Sequence, residues 1–235
     1  EPLFLGTIAA GGSLGILIPP SIPLIIYGVL TETSIPKLYL AAMIPGVLLA
    51  VLFSTIIVVC CVARPGWGGE AIATSWRKRF EVLPDLLPPL SIFIVVIGVI
   101  YLGWATPSES AALGVLMALM LAVARKRLTI QMLLEAAEAT MTTTAMIMLI
   151  VIGAFLLNFV LSAIGLSSLV TQLFSGTGLS PTAVLVTAVV FYLVLGMFME
   201  PLSMLIATVP LVIPAIKAAG IDPLMFGVLM MVLME

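Results

Sequence analysis

One apolar stretch near the start of the sequence offers several backbone oxygens to a ligand: GGSLGILIPPSIPLIIYG, Gly11–Gly28. Its prolines supply no N–H group to the carbonyl four residues earlier, so a continuous helix would leave three carbonyl oxygens unpaired. In hydrocarbon, such oxygens must face protein, a water-filled cavity or a bound ion. The stretch therefore predicts a discontinuous helix, an element that forms substrate and ion sites in secondary transporters. The prolines are Pro19, Pro20 and Pro23, and the carbonyls belong to Gly15, Ile16 and Pro19.

The atoms around this break determine which ligand it would suit. The hydroxyls of Ser13 and Ser21 add to the three carbonyls. The glycines Gly11, Gly12 and Gly15 allow the backbone to approach a ligand closely and to adopt positive φ. Ligation by oxygen alone suits Na⁺ better than a transition metal. A half-helix starting near Ser21 would also direct its positive N-terminal end at a carboxylate. The alternative is a proline kink that serves packing alone.

A second candidate site centres on Glu200, the acidic residue within the apolar sequence GMFMEPLSML. A carboxylate inside a membrane is costly and usually has a function. If Pro201 turns a hairpin at mid-membrane depth, Glu200 lies at its tip beside Ser203 and Thr208. If Thr182–Met199 crosses the whole membrane, Glu200 lies in a surface loop, and hydropathy leaves both arrangements open. The predicted binding residues are Gly11, Gly12, Ser13, Gly15, Ile16, Pro19, Pro20, Ser21, Met199, Glu200, Pro201, Ser203 and Thr208, with Na⁺ held by backbone oxygens near Gly15, Pro19 and Met199.

The composition requires membrane helices to position these residues. The 235 residues are 63% hydrophobic and 9% charged, with a mean hydropathy of +1.35, whereas a soluble domain is roughly 25% charged. The apolar stretches are long and lack the ten-residue alternation of a barrel, so we predict an all-α polytopic membrane protein. A net charge of −2 gives no reason to expect nucleic acid. The absence of histidine excludes a His-ligated metal and a Ser-His-Asp triad.

Three further polar residues receive structural predictions. Glu109 in TPSES and Asp222 before a proline are predicted to cap the N-termini of helices. Asn158, within an apolar stretch, is predicted to hydrogen-bond between two helices.

Seven of the nine basic residues fall into two clusters that orient the chain. The first lies in residues 64–82 with Trp67 and Trp76, and the second is Arg125–Arg127. Basic residues beside interfacial tryptophans mark cytoplasmic loops, so both clusters are predicted to face the cytoplasm. We expect residues 64–82 to form a loop, with or without a helix lying in the membrane plane.

Three stretches resemble the large membrane subunit of the tripartite ATP-independent periplasmic (TRAP) transporters. They are GGSLGILIPPSIPLIIYGVLTETSIPKLYLAAMIPG, TPSESAALGV and GMFMEPLSMLIATVPLVIPAIKAAGIDPLMFGV, in the family's order. The resemblance implies a sodium-driven importer of small organic anions in a bacterial or archaeal cytoplasmic (inner) membrane. It also implies a small membrane subunit and a periplasmic substrate-binding protein as partners, with Na⁺ as coupling ion and no other cofactor.

The resemblance further implies an inverted repeat with broken helices and re-entrant hairpins, in which a transport domain moves against scaffold helices as an elevator. By position, Met199–Ser203 matches the tip of the second hairpin. We therefore divide the chain into the discontinuous helix of the first repeat (1–33), a scaffold helix (34–63), a cytoplasmic basic loop or interfacial helix (64–82), scaffold and connecting helices (83–165), and the second hairpin with the start of a truncated final helix (166–235).

The chain begins at Glu1 and ends at Glu235 inside an apolar run, so we expect the natural protein to continue at both ends. In the family, the first hairpin would precede Glu1 and the second unwound helix would follow Glu235. Each ion site would then be half present, and this chain would not transport alone.

Three other classes of protein compete with this interpretation. A stand-alone Na⁺- or H⁺-coupled dicarboxylate carrier of related fold would need no binding protein. A membrane-embedded enzyme would need histidines or paired aspartates, which the sequence lacks, so we predict no enzymatic activity. A channel would need a repeated pore loop, and none is apparent.

Overall fold

The computed structural model describes residues 2–67, 75–165, 169 and 180–235. Every regular element in these ranges is helical, as the composition predicts. Part of the predicted basic loop (68–74) and of the second hairpin region (166–168 and 170–179) lies outside the described residues. The α-helices are α1 (Pro2–Ser13), α2 (Ile22–Thr31), α3 (Ile35–Ala63), α4 (Trp76–Val82), α5 (Leu87–Tyr101), α6 (Pro107–Ala124), α7 (Ile130–Ala163), α8 (Pro181–Gly196), α9 (Pro201–Ala218) and α10 (Pro223–Leu233).

Five helical stretches in the described ranges are long and apolar enough to cross a membrane. Much of their apolar surface is exposed within the chain, as at Ile44, which is 78% exposed. Exposed apolar faces of this length suit contact with lipid or with other membrane helices. The predicted polytopic membrane protein is confirmed at this level. The stretches are Ile35–Ala63, Trp76–Tyr101, Pro107–Ala124, Ile130–Ala163 and Pro201–Ala218.

The chain divides into two compact units. One contains Glu1–Gly12 and Ala50–Ala139, and the other contains Ser13–Leu49 and Thr140–Glu235. With the exception of Gly11 and Gly12, the predicted binding residues all belong to the second unit.

In the first unit, α5 and α6 pack closely through small residues. The Ser110 hydroxyl donates to the Val96 carbonyl at 2.6 Å, and a Cβ on Gly114 would lie 3.0 Å from Val96 Cγ2. Small residues at the contact allow the backbones of two membrane helices to approach closely. The predicted cap at Glu109 is confirmed: its carboxylate accepts from the Thr106 N–H at 2.8 Å, and the Thr106 hydroxyl accepts from the Glu109 N–H.

The second unit has a core formed by α2, α8, α9 and α10. Tyr27, Tyr192 and Phe226 are buried there, and the tyrosine and phenylalanine rings of α8 and α10 lie 6.0 Å apart. Asp222 caps α10 by accepting from the Leu224 N–H at 2.9 Å, so this prediction is also confirmed.

The prediction for Asn158 is wrong. Its side-chain amide donates to the Ala154 carbonyl at 2.9 Å, one turn earlier in the same helix, α7. A carbonyl four residues earlier is within reach of a short polar side chain, so the asparagine finds an acceptor without a second helix.

Candidate functional site

The predicted break in the first helix is confirmed. Helix α1 ends at Ser13 and α2 begins at Ile22, and the intervening residues form turns. The Ile16 N–H donates to the Ser13 carbonyl at 2.8 Å, a three-residue separation that tightens the last turn of α1. The Pro19–Pro20 peptide bond is cis. Two consecutive prolines thus stand where the helical hydrogen bonds would have to continue, and neither has an N–H group to donate.

Ser21 joins the two sides of the break. Its side chain is 1% exposed, and its hydroxyl donates to the Ile16 carbonyl. The same oxygen caps α2, lying 3.5 Å from the Leu24 N–H. One of the three predicted carbonyls, that of Ile16, therefore already has a protein partner, although a carbonyl retains a second lone pair.

The other two carbonyls fit the prediction. Among the described residues, the carbonyl oxygens of Gly15 and Pro19 accept no hydrogen bond. Gly15 is exposed within the chain and Pro19 is buried. Because an unpaired carbonyl inside a membrane needs a polar partner, these two oxygens are the strongest candidates for contact with an ion or water.

The glycines before the break do not use positive φ. Gly11 and Gly12 lie in the last turn of α1, where a Cβ on either would meet no atom within 4 Å. Among the described residues, the glycines with positive φ are Gly103, Gly165 and Gly220. Close approach of a ligand to Gly11, Gly12 and Gly15 therefore stays a prediction, without support from a special backbone conformation.

Helix α3 supports the break from one side. A Cβ on Gly46 would lie 2.9 Å from Ile18 Cγ1 and 3.7 Å from Leu17 Cγ, and Leu17 is fully buried. Because only glycine admits this approach, Gly46 lets α3 pack directly on the broken segment. The break is thus held by packing as well as by its prolines.

The second candidate site is the turn between α8 and α9. Helix α8 ends at Gly196, and Pro201 occupies the first position of α9, where a missing N–H has no structural cost. Glu200 is the N-cap: its carboxylate accepts from the Leu202 N–H at 3.0 Å and the Ser203 N–H at 2.8 Å. The Ser203 hydroxyl also donates to it at 2.9 Å. The carboxylate is an acceptor in all three bonds, as an ionised group must be.

Thr208 lies apart from this turn, contrary to the prediction that it stands beside Glu200. Eight residues of helix separate the two, which is about 12 Å along the axis. The Thr208 hydroxyl donates to the Met204 carbonyl at 2.7 Å and lies 2.9 Å from the Tyr192 hydroxyl. It borders an apolar cavity of about 230 Å³ between α8 and α9, whose other lining residues include Val184, Ala188, Phe191, Leu211 and Ala215.

The length of one arm, α8, favours a hairpin over two full crossings. Helix α8 has 16 residues, about 24 Å against a hydrocarbon core of about 30 Å. Helix α9, with 18 residues, reaches the length of a candidate span. The depth of Glu200 in the membrane stays a prediction.

Sequence reasoning missed one residue near this turn. Glu235 follows α10, whose end lies beside the turn because a Cβ on Gly196 would be 4.0 Å from the Leu233 carbonyl oxygen. Both Glu235 carboxylate oxygens are buried, with no partner among the described residues. The signal was present in the sequence, since Glu235 is an acid in an apolar run, as Glu200 is.

The chemistry of both sites is that of hard oxygen donors. The described residues contain no group of three or more His, Cys, Asp or Glu side chains placed to hold a metal. A cation at either site would therefore depend on carbonyls, hydroxyls and single carboxylates, which suits Na⁺.

An all-helical membrane chain that places the break of a discontinuous helix and a hairpin-like turn in one compact unit has the elements of a secondary transporter. The family model for the tripartite ATP-independent periplasmic transporter, DctM component, matches residues 4–235. The chain belongs to this family, and the resemblance seen in its sequence is confirmed.

Several curated relatives are similar over almost the whole chain. The sialic acid TRAP transporter large permease protein SiaM of Vibrio cholerae is 36% identical over 225 residues, 95% of this chain and 52% of the relative. The ectoine TRAP transporter large permease protein TeaC of Halomonas elongata is 33% identical, covering 96% of this chain and 52% of the relative. The C4-dicarboxylate TRAP transporter large permease protein DctM of Pseudomonas aeruginosa is 32% identical, covering 98% and 54%.

The chain spans about half the length of the curated relatives it matches. These relatives are all permease proteins of transporters, which places the chain among transport proteins and not among enzymes.

Proposed function

We propose that this chain forms part of the permease of a sodium-coupled secondary transporter that imports small organic anions across a bacterial or archaeal inner membrane. A periplasmic substrate-binding protein delivers the anion, and a small membrane subunit accompanies the permease. The observation that carries the proposal is the broken segment: two carbonyls, those of Gly15 and Pro19, accept no hydrogen bond among the described residues, in the unit that also holds the hairpin-like turn.

Sodium is the ion that this chemistry favours. The broken segment offers the two carbonyls together with the hydroxyls of Ser13 and Ser21, all of them hard oxygen donors. The turn adds backbone oxygens near Met199. Glu200 is occupied as a helix cap, so it supplies charge near the site while its oxygens hold α9 in place.

A carboxylate substrate suits the start of α2. This N-terminus is capped by a neutral serine and has no acidic residue in its first turn, so its positive end is not neutralised. The start of α9, by contrast, carries Glu200. The names of three relatives refer to sialic acid, ectoine and C4-dicarboxylates, compounds that share a carboxylate group.

In the proposed mechanism, Na⁺ at the broken segment and at the hairpin tip offsets the negative charge of the substrate and orders the tip. The loaded transport domain then moves inward against the scaffold helices, as an elevator. Coupling requires that Na⁺ bind the substrate-loaded state more tightly than the empty one. By thermodynamic linkage, bound Na⁺ then raises the affinity for the substrate by the same factor.

The test is uptake in proteoliposomes that contain the full-length permease with its partner subunits. A panel of radiolabelled carboxylates is assayed with and without a Na⁺ gradient, and with and without the binding protein. We expect uptake of at least one carboxylate to need both. A proton gradient without Na⁺ is the control for the coupling ion.

Two results would redirect the proposal. Uptake without the binding protein would assign the chain to the stand-alone dicarboxylate carriers, coupled to Na⁺ or H⁺. Failure to transport any carboxylate, with a neutral solute transported in its place, would contradict the role given to the start of α2.

A further inference from the structure

Helices α2 and α10 are joined by one buried tyrosine. The Tyr27 hydroxyl donates to the Pro223 carbonyl at 2.6 Å, and the Tyr27 side chain is 0% exposed. Its ring lies against Gly227, where a Cβ would be 2.8 Å from Cδ1 and Cζ and nearer still to Cε1. No residue other than glycine fits there without moving the ring, so this contact is specific in both shape and hydrogen bonding.

This contact connects parts of the chain that are far apart in sequence. Helix α2 starts at the end of the broken segment, and 196 positions separate Tyr27 from Pro223. Helix α10 ends beside the hairpin turn, as the approach of Leu233 to Gly196 shows. All of these residues belong to the second compact unit.

A second set of contacts continues from α10 into the hairpin arms. The ring of Phe226, next to Gly227, lies 6.0 Å from the ring of Tyr192 in α8. The Tyr192 hydroxyl in turn lies 2.9 Å from the Thr208 hydroxyl in α9. Helix α2, the Tyr27–Pro223 bond, helix α10 and the contacts of Phe226 and Tyr192 therefore connect the end of the broken segment to both arms of the hairpin.

We propose that Tyr27 is a positioning residue that couples the broken segment to the hairpin, so that Na⁺ bound at one raises the affinity for Na⁺ at the other. This inference rests on the proposed function, because it requires ion binding at both places. Coupling of this kind needs a packed element that both sites bias together. Tyr27 provides it, since its hydroxyl ties α2 to the start of α10, and the close contact with Gly227 fixes the ring that carries this hydroxyl.

The experiment measures the Na⁺ dependence of uptake by the full-length permease with its partners, comparing the wild type with Tyr27→Phe. The substitution removes only the hydroxyl and its bond to Pro223. We expect a Hill coefficient above 1 for the wild type and close to 1 for the variant. The half-saturating Na⁺ concentration should rise about 5-fold or more, with the maximal rate at saturating Na⁺ largely preserved.

Thr31→Val is the matched control. It also removes a buried hydroxyl from α2, but among the described residues that hydroxyl bonds only to the Tyr27 carbonyl and the Thr33 side chain, at the same end of α2, and not to α10. We expect the wild-type Hill coefficient for this variant. If the role of Tyr27 is merely structural, the two variants will have the same Hill coefficient for Na⁺.

A second pair of variants tests the shape of the contact. Gly227→Ala should displace the Tyr27 ring with its hydroxyl and lower the Hill coefficient, whereas Gly227→Ala added to Tyr27→Phe should lower it no further, because the bond to Pro223 is already absent. If the Gly227→Ala variant does not fold, the Hill coefficient of the Tyr27→Phe variant alone tests the coupling role.

The outcomes separate the two proposals. Cooperative Na⁺ dependence in the wild type that Tyr27→Phe leaves unchanged overturns the coupling role and leaves the proposed function intact. A wild type with a Hill coefficient of 1 also overturns the coupling. Uptake that ignores Na⁺ altogether contradicts the proposed function itself.

Discussion

Ser21 and Glu200 stand at equivalent positions in their helices but differ in charge. Each is an N-cap with extended backbone angles and accepts hydrogen bonds from the first-turn N–H groups of its helix. The serine adds no charge that would neutralise the positive end of α2, whereas the glutamate neutralises the start of α9. The two predicted sites are therefore not interchangeable, and we expect their substitutions to have different effects.

Substitution of Glu200 should distinguish sodium coupling from proton coupling. Glu200→Gln keeps one of the two oxygens that accept from the Leu202 and Ser203 N–H groups, and it cannot titrate. We expect Na⁺-driven uptake to be weakened and still coupled, while Glu200→Ala loses the cap, about 1 kcal/mol, and with it most of the activity. Uptake driven by Na⁺ and by H⁺ gradients is measured for each variant. Complete uncoupling by Glu200→Gln would contradict coordination of Na⁺ by backbone oxygens.

Substitution of Ser21 should affect both stability and ion affinity. Ser21→Ala removes the bond to the Ile16 carbonyl and the cap of α2, so we expect the free energy of unfolding to fall by about 1–2 kcal/mol. The half-saturating Na⁺ concentration should rise, because the broken segment loses the group that ties its two sides. Thermal unfolding in detergent and Na⁺-dependent uptake provide the measurements.

Ser180→Ala is the control for this prediction. Ser180 caps α8 through the Ala183 N–H at 3.3 Å and is exposed within the chain. We expect a smaller loss of stability and an unchanged Na⁺ dependence. Equal effects of the two substitutions on Na⁺ dependence would show that Ser21 acts only as a cap.

At the scale of elements, prolines in the interior of apolar stretches have two different effects. Pro19 and Pro20 interrupt a helix, whereas Pro45, Pro210 and Pro214 lie inside helices that continue past them. The two groups of prolines differ in how many hydrogen bonds are lost at one place. Two adjacent prolines remove two consecutive helical hydrogen bonds, and the Ser21 hydroxyl donates to one of the freed carbonyls, that of Ile16. A single proline leaves one bond to be replaced, which a helix tolerates.

Replacement of Pro19 and Pro20 by alanine should repair the helix and abolish transport. With N–H groups restored, the Gly15 and Ile16 carbonyls gain helical partners and are withdrawn from any ion. We expect Na⁺-dependent uptake to be lost while the protein remains folded, as judged by circular dichroism and size-exclusion chromatography.

The matched control is Pro45→Ala in α3, which also removes a proline from an apolar helix. We expect near-normal uptake. Retained activity in the double variant at Pro19 and Pro20 would show that the break serves packing alone.

At the scale of the whole molecule, the proposed elevator mechanism requires the hairpin tip to meet water on each side of the membrane in turn. A single cysteine at Met199, in a background with Cys60 and Cys61 replaced by alanine, reports this accessibility. We expect a membrane-impermeant maleimide to label it from outside in one ligand condition and from inside in another.

Arg125→Cys in the same background is the control. This residue follows α6 in the predicted cytoplasmic cluster, so it should be labelled from inside under every condition. A residue 199 cysteine that is labelled from one side alone, whatever the ligand, would argue against movement of the tip.

The sequence indicated the elements of this protein more reliably than the partners of their side chains. Its prolines located the break between α1 and α2, and the residue types at Glu109 and Asp222 identified helix caps, because capping is local and depends on neighbours within four positions. Asn158 was assigned to the wrong partner because the choice between an acceptor in its own helix and one in another helix is not local. The placement of Thr208 at the hairpin tip was wrong for a local reason, because a helix that begins at Pro201 puts residue 208 about 12 Å from Glu200 along its axis.

By itself, the sequence determined that this is an all-helical membrane protein of the TRAP permease family with one broken helix, because hydropathy and proline chemistry act over short stretches. Only the tertiary structure showed that Tyr27 donates to the Pro223 carbonyl and packs against Gly227. It also showed that α3 packs against the broken segment at Gly46, and that the end of α10 lies beside the hairpin turn. Such contacts join residues far apart in the chain through the shapes of packed side chains, which no local pattern of residue types records.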